Sequence, residues 1–534
     1  MPSPFVKSLL CSLVVYITYL FIKFRNRAIG TKKRKDLDFP KDQGWPIIGH
    51  LPEVLTNIDN TLELSTTKTL TWGPGWSITL PGIRLIDVSK PEWIEHIQKT
   101  NFDNYVKGSM FQNIMADVFG NGIFVSDGPT WKKTRHATST IFNVNTFKTV
   151  MEPSIHRTLD SLVQSLHGAA QANQAVDLCD TFFKFTLESF VHMTFGVDLN
   201  LLSQNQVSAN DPSPASSAFI ESFDLVQNQL DFRFAMVTGW GIVEKFNTRL
   251  GKQMKDACNA IDEFAYGLID QHQKPPEDVK SQENMSFQKD LLGLFMAARD
   301  ERGGGLSSVE LRDAALNLII AGRDTTAQAL SWGFYHLLLN KDIISKIREE
   351  AYQILNEGID ERVTYSNFKR FIWAHAAFLE ALRLHPSVPK NVKFALKDDK
   401  IPGGPTIEAG NGVRWSDWAM SRNPDIWGPD CVEYKPERWI DELGRIKQFG
   451  PFKFHAFNGG PRICLGMNLA VFQGVSTIVQ LFTKFEVDFF PGWLEHSPKG
   501  PIVGNIPAPY RTPRYKGSLT LPMAQPMMVT IRLR

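Results

Sequence analysis

Cys464 stands in the stretch FNGGPRICLG, 457–466, among three glycines and a proline. Glycine loses the most backbone freedom on folding, so a cluster of it marks a chain that must turn tightly or lie close to something. A helical pattern, CLGMNLAVFQGVSTIVQLF, follows at once. A sulfur at a helix N-terminus meets the positive end of the dipole and free amide donors, which favour its thiolate. Arg462, two residues away, offsets a negative group. The plain alternative is a cysteine used as inert packing. The other cysteines, Cys11, Cys179, Cys258 and Cys431, lie far apart with no CxxC pair. That spacing speaks against a disulfide framework or a cysteine-rich zinc site and leaves at most one cysteine for chemistry.

Two further groupings carry charge into apolar surroundings. Ala321-Gly-Arg-Asp-Thr-Thr326 puts an acid beside a hydroxyl inside a long apolar run. A charge there is costly unless it is paired or used. Gly322 removes bulk where something can approach, and Thr325 is placed to aim its hydroxyl at a ligand instead of at its own backbone. The bland reading is a surface aspartate with ordinary helix threonines. Glu380-Ala-Leu-Arg383 sets opposite charges on one helical face. That spacing is common by chance, but the apolar setting FLEALRLHPSVP points to a buried pair, which needs further partners. Arg438 in KPERW offers one.

These residues need elements to position them. Glycines at 303–305 break the chain before Ser307-x-x-Glu310, a capping box, and apolar or small residues then run from Val309 to Leu339 without a proline. About thirty residues span about 45 Å. A helix that long and that apolar runs through the middle of a large core. Helical patterns recur over 363–385 and 464–485, and strand signals over 76–88 and in the C-terminal SLTLPMAQPMMVTIRL. The expected fold is mainly α with a minor β subdomain. Stretches 212–217 and 273–286 read as polar surface loops, and Asn284 heads a formal glycosylation sequon that a cytosolic domain would not use. Hydrophobic content of 43% and charged content of 21% describe a globular chain, and a net charge of +2 gives no sign of nucleic-acid binding.

At the N-terminus, SLLCSLVVYITYLFI (8–22) carries no charge. Phe5 extends it towards the roughly 20 residues of a membrane span, with Lys7 reaching for the headgroups. KFRNRAIGTKKRK (23–35) follows, with seven basic residues and no acid, so this side stays cytosolic. No A-x-A-like site precedes the basic run, which favours an uncleaved anchor over a signal peptide. Prolines at 40, 46 and 52 then read as a stiff hinge.

A thiolate beside glycines that let a flat body lie against them is what a heme iron requires. FxxGxRxCxG at 457–466, AGxDTT at 321–326, ExxR at 380–383, PERW at 436–439 and WxxxR at 131–135 together resemble the cytochrome P-450 superfamily, in that family's order. The resemblance covers residues 39–534, and the N-terminal segment is similar to the anchor of microsomal members. It implies the family's fold, with a long central helix crossing the heme. It also implies an anchor at 1–24, a basic and proline-rich linker at 25–55 and a heme-thiolate catalytic domain at 56–534. Cys464 would be the axial ligand of heme b iron, and Phe457, Gly460 and Gly466 would belong to the cofactor's cradle. Trp131, Arg135 and Arg462 would bind the propionates. Glu380, Arg383 and Arg438 would form a buried structural triad, and Asp324 and Thr325 would deliver protons for dioxygen activation. Lys393 stands where many members have a propionate-binding arginine. Lysine lacks the bidentate fork, so it is left unassigned.

The implied reaction inserts one oxygen atom into a C–H bond and reduces the other to water. Electrons would come from NADPH through a separate flavoprotein reductase, with cytochrome b5 as a further partner, since no flavin or nicotinamide motif is present. Lys132 and Lys133 are expected to form a basic docking face for that reductase. The implied location is the endoplasmic reticulum membrane, single-pass, with the catalytic domain cytosolic. FDNYVKG (102–108), the stretch 122–142 and AGRDTTAQALSW (321–332) resemble fungal alkane-inducible and plant ω-hydroxylase members, as does the spacing at 418–422, where Trp418 replaces the usual tyrosine. The implied substrate is a long-chain fatty acid or alkane, oxidised at a terminal or subterminal position. An apolar lining is expected from 105–124, Ala321, Val388 and Met523. The alternatives are a sterol or secondary-metabolite monooxygenase, a heme-thiolate isomerase or dehydratase, and a non-catalytic heme protein. The Asp324-Thr325 pair favours oxygen activation over the last two.

Overall fold

The computed structural model describes residues 4–33, 44–202, 214–236, 239–273, 290–298, 304–355, 362–501 and 511–534. Its organising element begins at the capping box. The Ser307 hydroxyl accepts from the Glu310 amide, and the Glu310 carboxylate accepts from the Ser307 amide at 3.0 Å. The central helix then runs over Ser308–Leu339, 32 residues. Between Leu311 and Leu338 every residue is buried except Ala321 and Thr325, one turn apart. Helices Leu178–Phe195, Thr248–Gln273, Ile372–Leu384 and Met467–Lys484 pack around it, and most buried apolar side chains join one cluster about this axis.

Two of these helices start later than their sequence patterns. Within 363–385, Thr364 and Asn367 hold each other in a turn through their side chains, and the helix begins only at Ile372. The Glu350 carboxylate, on helix Lys341–Leu355, accepts from the Ile372 amide at 2.7 Å and the Trp373 amide at 3.0 Å. An N-cap supplied by another helix leaves no local signature. Likewise the helix expected from 464 begins at Met467, with Gly466 at its N-cap. Of the polar loop expected at 212–217, the described residues 214–217 instead begin helix Pro214–Met236, whose leading proline suits a first turn. Residues 34–43, including Pro40, most of 273–286 with Asn284, and Gly303 lie outside the described residues.

The larger sheet has strands β1 (Gly75–Leu80), β2 (Ile83–Val88), β3 (Tyr105–Val106), β4 (Lys390–Ala395) and β5 (Gly412–Ser416), in the order β1-β2-β5-β4-β3. Only β2 and β5 run parallel, with Ile86 opposite Val413. A second sheet pairs the C-terminal strand Met528–Leu533 with Phe485–Phe489 and Val176–Asp177. Helix Pro4–Lys23 is apolar and exposed along its length. The described parts of 25–55 are fastened to the first hairpin: the Gly82 amide donates to the Ile29 carbonyl at 2.9 Å and the His50 amide to that of Thr79 at 2.8 Å.

Candidate active site

The loop bearing Cys464 closes on itself where the Cys464 amide donates to the Phe457 carbonyl at 2.8 Å. Asn458 and Gly460 take φ of 63° and 61°, the left-handed region that glycine enters freely. Two of the three glycines answer to the protein's own packing. A Cβ on Gly459 would overlap the Phe452 ring, and one on Gly460 would overlap the Gln98 carbonyl. Contact with the protein's own atoms thus requires both of these glycines on the side where a Cβ would stand. Gly466 differs, because a Cβ there would meet only the Cys464 sulfur and the Phe142 ring, at 3.9 Å. Beneath the loop, buried His455 bonds Asp417 at 2.9 Å and Gln98 at 2.7 Å, and the Gln98 amide donates to Asn458 at 2.6 Å.

The sulfur has accessible surface, yet dense surrounding protein pushes its thiol up. Both hold for a side chain lining an internal cleft. The Gly466 amide and the Arg135 charge act in the opposite sense, and burial outweighs them. A thiolate here needs a further positive partner, which a heme iron would supply.

Beside the loop, cations outnumber carboxylates. The Arg462 guanidinium lies 4.5 Å over the ring of buried Trp131 and donates to Asp127 at 2.7 Å and the Ser126 carbonyl at 3.1 Å. Burial lowers Arg462 to about 10. On β4, Lys393 is buried, and its ammonium has no hydrogen-bond partner among the described residues. Burial, then the charges of Arg462 and Lys107, push it well below the usual lysine range. Lys107, 4.1 Å over the Phe111 ring, is lowered to about 7 by burial and then by the Arg462 charge. Arg462, Lys393 and Lys107, one buried and two partly buried, thus share one carboxylate, Asp127. Such a cluster is short of negative charge, and the two propionates of a heme would supply it, so the residues present fit that cofactor. Lys107 and Asp127 carry no sequence signal for this role; only folding brings residues 107, 127, 393 and 462 together.

The central helix opens where Ala321 and Thr325 lose burial. The close approach expected at Gly322 is made by the Phe190 ring of helix Leu178–Phe195. The Thr325 hydroxyl donates to the Ala321 carbonyl at 2.5 Å, against expectation. The carbonyl one turn back is the nearest acceptor for a helical threonine, and the hydroxyl's lone pairs stay available. Asp324 is buried, with one carboxylate oxygen lacking a hydrogen-bond partner among the described residues. Burial pushes it up to about 6, partly offset by Arg323, whose Nε lies 3.7 Å away. An acid of that strength both holds and releases a proton near neutral pH.

A family model described as cytochrome P-450 matches residues 40–513. The chain belongs to the cytochrome P-450 family. It is 41% identical over 523 residues to cytochrome P-450 monooxygenase cyp1 of Mycosarcoma maydis, covering 97% of this chain and 78% of that protein. It is 31% identical over 467 residues to cytochrome P-450 86B1 of Arabidopsis thaliana, covering 84% and 81%. Noroxomaritidine synthase of Narcissus aff. pseudonarcissus MK-2014 is as similar, 31% over 465 residues, covering 84% and 86%. The chain is a heme-thiolate monooxygenase.

The remaining motifs of this P-450 also meet in space. Arg383 donates to both oxygens of Glu380, at 2.7 and 2.8 Å, and Arg438 approaches at 3.4 Å. The further partners a buried pair needs are Trp439 Nε1 at 2.9 Å and the Lys435 amide at 3.0 Å on Glu380, and the Ser421, Cys431 and Glu433 carbonyls on Arg383. This network clasps helix Ile372–Leu384 to the 421–439 segment, away from the reacting groups. Of the two expected docking lysines, Lys133 pairs with Glu310 at 2.5 Å, while exposed Lys132 stands 4.0 Å from Asp103.

Proposed function

We propose that this P-450 hydroxylates a C–H bond of a long-chain fatty acid or alkane at a terminal or subterminal position. Heme bound through Cys464 supplies the dioxygen activation and oxygen insertion. Trp131, Arg135, Arg462, Lys107 and Lys393 hold its propionate edge, and Phe457 and Gly466 shape the loop around the sulfur. Asp324 stores a proton next to Thr325, whose hydroxyl accepts it in exchange for the one it passes on. The observation that carries this reading is the opening of an otherwise buried helix at Ala321 and Thr325, beside a buried acid with one oxygen that has no hydrogen-bond partner among the described residues. A non-catalytic heme protein has no use for that arrangement.

Electrons come from NADPH through a separate reductase, with cytochrome b5 as a second donor, and exposed Lys132 contributes to the docking face. Helix Pro4–Lys23, which ends on Lys23 and is followed by Arg25 and Arg27, anchors the chain in the endoplasmic reticulum membrane with the body on the cytosolic side. The lipid assignment is supported by the stretches at 102–108, 122–142 and 321–332, which resemble fungal alkane-inducible and plant ω-hydroxylase members. The Narcissus relative favours a second reading, a monooxygenase of specialised metabolites. Turnover of palmitate and hexadecane with reductase and NADPH separates the two: hydroxylated product supports the lipid reading, and no oxygenated product from either overturns it.

A further inference from the structure

We propose that Gln328 is a positioning residue that sets substrate selectivity by fixing the tip of the C-terminal loop to the central helix one turn beyond Thr325. The proposal rests on the monooxygenase reading and deepens it. Thr325, Gln328 and Trp332 follow one another at helical spacing along one face. Gln328 is 2% exposed, and both polar atoms of its amide are engaged: Nε2 donates to the Thr520 hydroxyl at 2.8 Å and Oε1 accepts from the Leu521 amide at 2.7 Å. Trp332 Nε1 donates to the Leu521 carbonyl at 2.8 Å. Both main-chain polar groups of Leu521 are therefore held by side chains of the central helix.

The same tip is gripped from the other side. Asp231, on helix Pro214–Met236, accepts from the Ser518 hydroxyl at 2.8 Å and the Leu519 amide at 3.1 Å. The Lys516 amide donates to the Pro522 carbonyl at 2.9 Å and closes the turn. Leu519 and Met523, on either side of Thr520 and Leu521, are only partly buried and pack against the main core. An apolar side chain at position 328 would fill the space equally well. A buried amide matched to one particular peptide group instead specifies register, because any shift of the tip leaves polar groups unpaired. Gln328 thereby fixes how far Leu519 and Met523 stand from the open turn at Ala321 and Thr325.

The test uses the heme-loaded enzyme and a probe independent of the natural substrate. Imidazole, N-butylimidazole and N-dodecylimidazole ligate heme iron and shift its Soret band. Gln328→Met keeps the side-chain length and removes both bonds; Thr520→Val removes one from the loop side. Expected are an unchanged affinity for imidazole, an unchanged carbon monoxide spectrum, and a dodecyl-to-butyl affinity ratio altered by at least about fivefold in Gln328→Met, which is what losing one ordinary hydrogen bond produces. Thr520→Val should move the ratio the same way by less. If the ratio stays at the wild-type value, the proposal is overturned; should Gln328→Met lose heme, Thr520→Val decides alone. Failure of palmitate and hexadecane turnover in the wild type would remove the lipid reading and leave this ratio as the test of Gln328.

Discussion

The Ser387 hydroxyl donates to the Thr325 carbonyl at 2.7 Å. One bond thus ties the segment following the Glu380–Arg383 helix to the turn where the central helix opens. Buried networks on both sides keep that turn in place: Arg383 and Arg422 clasp the backbone behind Ser387, and Gln328 and Trp332 clasp the loop beyond it. Replacing Ser387 by alanine should lower unfolding free energy by about 1 kcal/mol, read by urea titration, with the carbon monoxide spectrum intact. Unchanged stability would show that the bond contributes nothing.

Asp324→Asn removes the proton store while keeping shape. Proton transfer by a positioned acid contributes about 10²-fold or more, so turnover should fall by that order with substrate affinity and heme content preserved. Because burial raises Asp324 to about 6, wild-type turnover should carry an inflection near that pH, absent from the variant. Identical pH profiles would contradict the role.

Lys393→Met and Lys107→Met bear on the heme's propionate edge. Each deletes a cation that burial and neighbouring charge disfavour. The heme-free protein should be no less stable, and the loaded protein should release heme to an acceptor globin faster, by about tenfold for a lost charge-assisted bond. Equal release rates in variants and wild type would place the propionates elsewhere.

Much of this was legible where the signal is local. The capping box at Ser307 and Glu310, the proline-free run to Leu339 and the Glu380–Arg383 spacing are all set by residues within a few positions of one another, and all formed as read. What escaped is supplied from far along the chain. Gly322 faces Phe190, Gly459 faces Phe452 and Gly460 faces Gln98, partners that no local pattern names. Helix Ile372–Leu384 takes its cap from Glu350, and the cation cluster joins strand, loop and helix residues hundreds of positions apart. Periodicity reports which face is apolar, not which neighbour covers it.

Acid should destabilise the protein early. His336 is lowered to about 3 and His375 to about 4, both by burial first. Each stays neutral when folded while the unfolded chain takes up a proton below about 6.5. Stability is therefore full above that pH and falls as pH drops from 6.5 towards 4, by about 2 kcal/mol per residue at pH 5. Urea midpoints at pH 7 and 5 measure it, and His375→Phe should flatten the slope. A pH-independent midpoint would contradict the assignment of neutral buried imidazoles.

The measurement closest to the central claim is the carbon monoxide difference spectrum of the reduced protein, for wild type and Cys464→Ser. With a thiolate from Cys464 on heme iron, the wild type shows the red-shifted Soret band of a sulfur-ligated heme, and the variant loses both the band and monooxygenase turnover. A variant that keeps the wild-type band and its activity would place the iron ligand on another residue.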